Sequence, residues 1–315
     1  MPQVLLYDDP TFERHETGMH PERPERLQAI RQELARTGLA ERCITRPIRP
    51  ATIEELQRVH GAEYITTIRA ASEAGGKRLD PDTVASPDSY NVATHAAGTA
   101  LDAVDRVLRG EASRALCLVR PPGHHALPNR AMGFCLFGNI ALAAAHARAA
   151  HGLERVLIVD WDVHHGNGTQ DIFYADGNVH FLSLHRFPFW PGSGDFDETG
   201  TGAGLGATLN VPLRFGLSRK AYRQAFAESL ETAIARCRPE LILLSAGFDA
   251  HAADPIGSLG LESEDFGELT RLVCDAAGQS CGGKVVSLLE GGYNVEKLAE
   301  SVAIHLDGLL SYGDE

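Results

Sequence analysis

Acids and imidazoles directly follow an apolar segment in VLIVDWDVHHGNGTQ, residues 156–170. Such groups are costly to bury without partners. Side chains two residues apart lie on the same side of an extended strand, so Asp162 and His164 can hold one cation between them. Asp249, in the segment SAGFDAH, can supply a third ligand. Three protein ligands leave one position open, which is the arrangement of catalytic rather than structural zinc sites.

Four apolar segments end in reactive side chains: VRPPGHH, VDWDVHH, SAGFDAH and LLEGGYN. Apolar segments without polar alternation, separated by helical patterns, are typical of a parallel sheet covered on both faces. The strands predicted in this way are QVLLYDD, RALCLVR, RVLIVDWD, NVHFLSLHR, ATLNVPL, ELILLSAGFD and KVVSLLEGG. Ligands of open α/β sheets bind at the carboxyl ends of strands, so we expect the four reactive ends to form one site.

The helices between these strands are recognised by apolar periodicity and by their ends. In PERPERLQAIRQELARTG, an apolar stripe is formed by Leu27, Ile30 and Leu34. Pro24 lies near the first turn of this helix and Gly38 follows its last turn. Three further segments have helical patterns: FGNIALAAAHARAAHG, SRKAYRQAFAESLETAIARC and SEDFGELTRLVCDAAGQSC.

The composition predicts a protein with a substantial core. The chain has 315 residues, 43% hydrophobic content and a formal net charge of −13. No linker, charge block or repeat divides it, so we expect one domain over residues 1–315. An acidic chain is a poor candidate for direct nucleic-acid binding, which relies on Lys and Arg. The sequence leaves the oligomeric state open.

Cysteine usage and the N-terminal segment predict a cytoplasmic protein. The six cysteines form no C-x-x-C pair, so we expect buried free thiols in a reducing compartment. The segment MPQVLLYDD has neither the basic nor the apolar region of a signal peptide. No run of about 18 apolar residues predicts a membrane span, so no membrane partner is expected.

Three other segments depart from the motifs that they approach. HETGMH has one residue too many for H-E-x-x-H, and we expect a loop there. GTGAGLG leads into a strand rather than a helix, and PGSGD is not a nucleophile elbow. Five histidines on helix-like segments are expected to be ordinary surface or packed residues: His60, His95, His146, His151 and His305.

Six motifs occur in a recognisable order: RPPGHHA, GFCLFGN, VDWDVHHGNGTQ, SLHRFPFWPGSG, SAGFDAHAADPIGSL and EGGYN. They resemble the motifs of the histone deacetylase and acetylpolyamine amidohydrolase family, and HPERPERL is similar to its bacterial and class II branch. The resemblance implies the arginase–deacetylase fold. That fold is a single α/β domain with a central eight-stranded parallel sheet flanked by helices.

The resemblance implies the same metal ligands as the spacing argument, namely Asp162, His164 and Asp249. One Zn²⁺ per chain is expected, although two carboxylates and an imidazole also suit Fe²⁺ or Co²⁺. A K⁺ site is implied as well, beside Asp160, Ser183 and Leu184.

The family pattern also implies the catalytic side chains. His124 and His125 match tandem catalytic histidines, with Asp160 and Asn167 as their respective partners. Asp160 favours the charged form of His124, whereas Asn167 supplies no charge to His125. We therefore expect His125 to be the general base and His124 to act electrostatically. Tyr293 matches the tyrosine that binds the substrate carbonyl.

Four residues match the substrate tunnel of the family. The backbone carbonyl of Gly133 is expected to accept the substrate N–H, and Phe134 and Trp190 are expected to form opposing aromatic walls. Ile256 stands where a polyamine-selective relative carries Glu. Acids elsewhere, such as Asp88 in SPDSY, could still hold a distant ammonium group.

These residues favour a zinc-dependent enzyme that removes acetyl or related acyl groups from lysine side chains in proteins or peptides. The alternative is an acetylpolyamine amidohydrolase or another deacetylase of small acylated amines. A metal-binding or acyl-lysine-reading protein without turnover is less favoured, because His124, His125 and Tyr293 form a complete catalytic set. An arginase-like binuclear hydrolase needs further bridging carboxylates, which we do not find at matching positions.

Overall fold

Eight parallel strands form the central sheet of the computed structural model, which describes residues 4–311. In chain order they are β1 (Val4–Tyr7), β2 (Ile44–Thr45), β5 (Arg114–Cys117), β6 (Val156–Asp160), β7 (Val179–Arg186), β8 (Thr208–Leu213), β9 (Leu241–Ala246) and β10 (Val285–Leu289). Two shorter strands, β3 (Lys77–Asp80) and β4 (Thr83–Ala85), form a separate antiparallel hairpin. The prediction of an eight-stranded parallel sheet is confirmed.

The order of strands across the sheet is β2-β1-β5-β10-β9-β6-β7-β8. The four strands that run into reactive segments, β5, β10, β9 and β6, are therefore consecutive neighbours. Because they are parallel, their carboxyl ends lie at the same edge of the sheet. Every residue of these strands is buried, which explains why their sequences are mostly apolar and do not alternate with polar residues.

Helices cover both faces of the sheet. In chain order they are α1 (Glu25–Thr37), α2 (Ile53–Leu56), α3 (Ala62–Glu73), α4 (Ser89–Leu108), α5 (Asn139–His151), α6 (Asn167–Phe173), α7 (Arg219–Cys237), α8 (Ser263–Cys281) and α9 (Val295–Ser311). Helices α4 and α5 pack together on one layer, and α9 packs between α1 and α8 in the other. No described helix is both long and apolar enough to cross a membrane.

The predicted strands and helices are present, with their ends shifted by a few residues. Gln3, at the start of the first predicted strand, lies outside the described residues, as do both ends of the predicted 1–315 domain. HETGMH is irregular rather than a two-turn helix, as expected. Strand β2 was not predicted, because it is too short to show a pattern, and the bounds of the 20-residue helix α4 were not predicted either, although His95 within it was placed on a helix-like segment.

All six cysteines are free thiols that lie at least partly in the core. Cys43 is partly buried, and the other five are buried free thiols, as predicted.

Candidate active site

Three predicted ligands converge at the sheet edge. Asp162 and His164 follow β6, and Asp249 follows β9, the next strand in the sheet. The Nδ1 atom of His164 lies 3.1 Å from Oδ1 of Asp162 and 3.1 Å from Oδ2 of Asp249. All three side chains are buried, and their ligand atoms lie within 4.8 Å of one another. One small cation can therefore contact all three.

Backbone groups from both neighbouring loops hold the two carboxylates. The N–H of Val163 donates to Oδ1 of Asp249 at 2.9 Å, and the N–H of Gly291 donates to Oδ2 of Asp162 at 2.9 Å. A side chain at Gly291 is excluded, because its Cβ would lie 2.4 Å from Asp249 and 2.5 Å from Asp162. The glycine of EGGYN therefore lets the β10 loop approach the metal ligands.

The electrostatics of this cluster fit a divalent cation. Burial and the charge of Asp162 raise the pKa of Asp249 to about 7. Burial alone lowers the pKa of His164, but hydrogen bonds with Asp162 and Asp249 raise it to about 9. Two buried carboxylates thus face one imidazole, and positive charge between them stabilises the group. Two carboxylate oxygens and one imidazole nitrogen are donors that suit Zn²⁺.

A second Asp–His group, on helices α4 and α5, has a different geometry. Oδ1 of Asp105 lies 2.7 Å from Nε2 of His146 and 2.6 Å from Nε2 of His151. These are direct hydrogen-bond distances. Nδ1 of His146 is 2.5 Å from the Arg58 guanidinium, and Arg109 lies 3.7 Å from Asp105. The cationic neighbours and the short contacts favour a hydrogen-bonded, largely buried cluster over a metal site, in line with the predicted packed histidines.

The tandem histidines lie beside the ligand cluster with the predicted partners. Nδ1 of His124 lies 2.9 Å from Oδ2 of Asp160, and Nδ1 of His125 lies 2.8 Å from Oδ1 of Asn167. Burial lowers the pKa of His124, but Asp160 and Asp162 outweigh it and raise the pKa to about 10. Burial and the neighbouring charge of His124 hold the pKa of His125 well below its ordinary value.

Glu290, which was not assigned from the sequence, holds the backbone that leads into the tandem histidines. Its Oε2 accepts the N–H of Gly123 at 2.7 Å and the N–H of His124 at 3.2 Å. The carboxyl group is fully buried, and this burial raises its pKa to about 7. The residue is visible in the sequence as the acid of EGGYN, but only the fold brings it under residues 123 and 124.

A cavity of about 180 Å³ leads to these groups. It is lined by Asp82, His125, Gly133, Phe134, His164, Phe189, Trp190, Ile256 and Tyr293. The structure therefore brings the four predicted tunnel residues together with the predicted base and tyrosine. Asp82 and Phe189 were not identified from the sequence.

Aromatic rings form the walls of the cavity. The Phe134 ring packs edge-to-face against Tyr293, with ring centroids 5.6 Å apart. On the other side, Trp190 meets His125 edge-to-face at 4.7 Å, and Phe189 stacks on His164 at 5.3 Å. Trp190 is 40% exposed, so it forms the outer part of its wall. The additional ring of Phe189 shows that this wall contains two aromatic side chains.

Gly133 must be glycine where the chain passes between the walls. Its φ is +57°, and an added Cβ would lie 2.4 Å from His125 and 2.7 Å from Trp190. Within residues 4–311, its carbonyl oxygen accepts only a weak S–H donor, that of Cys135, at 3.2 Å. The carbonyl therefore keeps acceptor capacity for another donor.

Tyr293 stands on an anchored loop after β10. Arg26 donates to the carbonyl of Gly292 at 2.7 Å and to the carbonyl of Glu290 at 2.5 Å, and its guanidinium lies 5.2 Å from the Tyr293 ring centroid. Burial raises the pKa of Tyr293 well above its ordinary value. The phenol is therefore a neutral donor throughout the physiological pH range.

The acid at the cavity mouth is Asp82 rather than the suggested Asp88. Asp88 forms a two-point contact with Arg14, at 2.9 and 3.2 Å, and does not line the cavity. Asp82 lies in the turn between β3 and β4, where its Oδ1 accepts the N–H of Gly133 at 3.2 Å. The suggestion was wrong because pairing across the hairpin, invisible in the sequence, decides which acid reaches the mouth.

The residues of the predicted K⁺ site lie together beneath the ligand cluster. Asp160 and Ser183 are in-register neighbours on β6 and β7, and Leu184 follows Ser183. The hydroxyl of Ser183 lies 2.9 Å from Nδ1 of His185, and Oδ1 of Asp160 accepts the N–H of Asp162. Occupation by K⁺ stays a prediction.

Comparison with known proteins agrees with this geometry. The sequence matches the family described as "Histone deacetylase domain" over residues 20–309. The chain is 46% identical to the histone deacetylase-like amidohydrolase of Pseudomonas aeruginosa over 278 residues, covering 87% of this chain and 73% of that protein. It is 43% identical to the human polyamine deacetylase HDAC10 over 318 residues, covering 97% of this chain but only 46% of the human protein.

A solved structure shows the same architecture. The crystal structure of the HDA15 HD domain matches with a TM-score of 0.93 and 38% sequence identity, and the match covers all of this chain and 90% of that one. The fold and its relatives thus define a hydrolase of amide bonds with the arginase–deacetylase fold. The chain belongs to the histone deacetylase family.

Proposed function

We propose that this protein is a zinc-dependent deacetylase that removes acetyl or related acyl groups from lysine side chains of proteins or peptides. One observation carries the proposal: a narrow aromatic cavity ends at an Asp–His–Asp cluster with a histidine and a tyrosine beside it. A long, thin, uncharged side chain fits such a cavity, and an amide at its end reaches all of these groups.

Asp162, His164 and Asp249 are the residues that would hold the zinc ion. When bound, zinc supplies Lewis-acid polarisation of the substrate carbonyl and lowers the pKa of an adjacent water. The remaining chemistry is assigned to side chains of the chain itself.

His125 is the proposed general base. Its Nδ1 faces the amide oxygen of Asn167, so the proton lies on Nδ1 and the lone pair on Nε2 is free. Its low pKa keeps the ring neutral at physiological pH. His125 then takes a proton from the attacking water and returns it to the leaving amine.

His124 and Tyr293 are proposed to stabilise the charge that develops. His124, held protonated by Asp160, places a fixed positive charge beside its neighbour. The neutral hydroxyl of Tyr293 donates a hydrogen bond to the carbonyl oxygen as that oxygen becomes negative.

The cavity walls select the substrate. Phe134 and Trp190, together with Phe189, enclose the methylene stem, and the carbonyl of Gly133 accepts the amide N–H. A free ammonium group would lose its hydration between aromatic rings without gaining a partner, so an unacylated lysine is disfavoured.

Deacetylation of a small acylated amine is the second candidate. Asp82 at the cavity mouth favours it, since a carboxylate there can face a distant ammonium group. Ile256, which lines the same cavity, offers no charge at the position of the Glu in a polyamine-selective relative.

Parallel rates on an acetyl-lysine peptide and on N-acetylputrescine test the proposal. We expect a kcat/KM at least about tenfold higher for the peptide. Ile256→Glu should raise the rate on N-acetylputrescine, whereas the uncharged control Ile256→Gln should not. A preference of the parent protein for N-acetylputrescine would favour the second candidate, and no turnover of either would contradict both.

Three further features belong to this proposal. We propose that residues 1–315 form one catalytic domain and that the protein acts in the cytoplasm without binding nucleic acid or membranes directly. K⁺ beside Asp160, Ser183 and Leu184 is proposed to support the β6 loop. Loss of activity when K⁺ is exchanged for a large organic cation would support that role.

A further inference from the structure

The carboxylate of Asp254 receives four backbone N–H groups from two loops. Its Oδ1 accepts from Ile256 and Gly257, both at 2.9 Å. Its Oδ2 accepts from Tyr293 at 2.7 Å and Asn294 at 3.3 Å. The residue is only 9% exposed, so these hydrogen bonds are shielded from water. One side chain therefore joins the loop after β9 to the loop after β10.

Each of the two loops contributes a side chain to the cavity. Ile256 lines it from the β9 loop, and Tyr293 lines it from the β10 loop. Asp254 itself does not line the cavity and is not among the three converging ligands. Its contacts are with the backbone that carries these two side chains.

The carboxylate of Asp254 is well suited to fix the distance between the two loops. It offers about four lone-pair sites, and all four are used here. Hydrogen bonds to a carboxylate are shorter and stronger than those between neutral groups. Two further hydrogen bonds join the same loops, from the Asn294 side chain to the carbonyl of Ala253 and from the N–H of Phe248 to the carbonyl of Gly291, both at 3.0 Å. Asp254 thus holds the backbone at Ile256 in its own loop and also binds the backbone N–H of Tyr293 itself in the other loop.

We propose that Asp254 is a positioning residue that sets the place of the Tyr293 hydroxyl relative to the cavity wall at Ile256. The inference rests on the proposed function, in which that hydroxyl stabilises the developing oxyanion. A displacement of about 1 Å at a reacting centre can cost about 10²-fold in rate. A residue that never touches substrate can therefore control kcat.

Asp254→Asn tests the proposal with little change in volume. The amide keeps one acceptor oxygen, but its nitrogen cannot accept a hydrogen bond. Depending on the orientation of the amide, residue 254 loses either the hydrogen bonds from Ile256 and Gly257 or those from Tyr293 and Asn294. We expect kcat on an acetyl-lysine peptide to fall about 10- to 100-fold. KM should change less than about threefold, and zinc content should not change, because the proposed ligands are untouched.

Asp176→Asn is the matched control. Asp176 also anchors a turn, accepting the N–H of Asn178 at 2.8 Å, but it lies at the opposite edge of the sheet, before β7. We expect this variant to keep the kcat of the parent. An equal loss of kcat in both variants would mean that loss of any carboxylate that anchors a turn is sufficient, and would overturn the positioning role.

A double variant separates positioning from general stability. If Asp254 acts through the Tyr293 hydroxyl, Asp254→Asn should lower kcat less than about threefold when Tyr293 is already Phe. Full multiplication of the two effects would overturn this inference while leaving the proposed function intact. A Tyr293→Phe variant with the kcat of the parent would instead overturn the proposed role of Tyr293, and this inference with it.

Asp254→Glu provides the same test if the Asn variant does not fold. It keeps the acceptor oxygens but moves them by one methylene group. A folded Asp254→Glu protein with reduced kcat and unchanged zinc content supports the positioning role, and one with the kcat of the parent contradicts it.

Discussion

His125 directs its Nδ1 atom at the side-chain oxygen of Asn167, 2.8 Å away. The adjacent His124 instead meets a carboxylate, that of Asp160, at 2.9 Å. The two imidazole rings are only 3.9 Å apart between centroids, yet they have partners of different charge. The structure therefore pushes their pKa values in opposite directions, which is the arrangement expected of an acid–base pair with distinct roles.

Asn167→Asp should move the acid limb of the pH–rate profile to higher pH. A carboxylate at this position favours protonated His125 and raises its pKa by about one unit or more. The base must be neutral to accept a proton, so activity is lost as pH falls through this pKa, and the loss begins at higher pH in the variant. The measurement is kcat/KM against pH on an acetyl-lysine peptide. Superimposable profiles would contradict the assigned role of His125.

His125→Ala should reduce kcat more than His124→Ala at neutral pH. Only His125 is proposed to move protons, and loss of a positioned acid–base group typically costs about 10²–10⁴-fold. Both variants are to be compared at equal zinc content. The opposite order of rates would show that the two roles are exchanged.

Tyr293→Phe should lower kcat about 10²–10³-fold, because it removes one donor to the developing oxyanion. KM should change less, since the ground-state carbonyl is a weaker acceptor. Zinc content should stay at the level of the parent. A tyrosine that only packs against Phe134 would give a nearly silent variant, so a rate within about threefold of the parent would remove Tyr293 from the mechanism.

Glu22→Gln should lower the free energy of unfolding. Glu22 is fully buried and pairs with both Arg120 and Arg26. Removing one partner of a buried ion pair costs about 3–5 kcal/mol. Urea unfolding at pH 7 measures the loss of free energy, and Glu33→Gln, which removes the exposed pair with Arg36, should change it little.

The lowered pKa of Glu22 predicts that the protein loses stability at acid pH. Burial raises the pKa of Glu22, but Arg120 and Arg26 outweigh it and lower the pKa to about 2. The contribution of Glu22 to stability is therefore complete above its ordinary pKa of about 4.3 and is lost as pH falls toward about 2. Between these values the free energy of unfolding should fall less steeply in Glu22→Gln than in the parent. Parallel curves would contradict this assignment.

The sequence was sufficient to predict the residues at strand ends. Asp162, His164 and Asp249 each lie within four residues of a buried strand that is mostly apolar, so both the strand and its exit are visible in the pattern. The parallel sheet then brings these ends together without further information. His124 and His125 lie seven and eight residues after β5, and the family resemblance gave their roles and that of Tyr293.

The residues that the sequence did not reveal act through long-range pairing. Asp82 reaches the cavity only because the β3–β4 hairpin folds beside Gly133, whereas Asp88 is taken by Arg14. In the sequence, nothing distinguishes Asp254 from other acidic loop residues, because its four backbone hydrogen bonds are formed only in the fold. Periodicity describes which side of an element is buried, but it does not specify which loops meet.

The most direct test of the account is a zinc titration of the metal-free protein and of Asp249→Ala. After chelation, the parent should release no acetate from an acetyl-lysine peptide, and activity should return in proportion to added zinc, reaching its maximum at one equivalent per chain. Asp249→Ala should remain soluble, bind less than about a tenth of an equivalent, because one of three ligands is missing, and stay inactive. Full activity of the zinc-free parent, or one bound equivalent with normal turnover in Asp249→Ala, would contradict the proposed metal site.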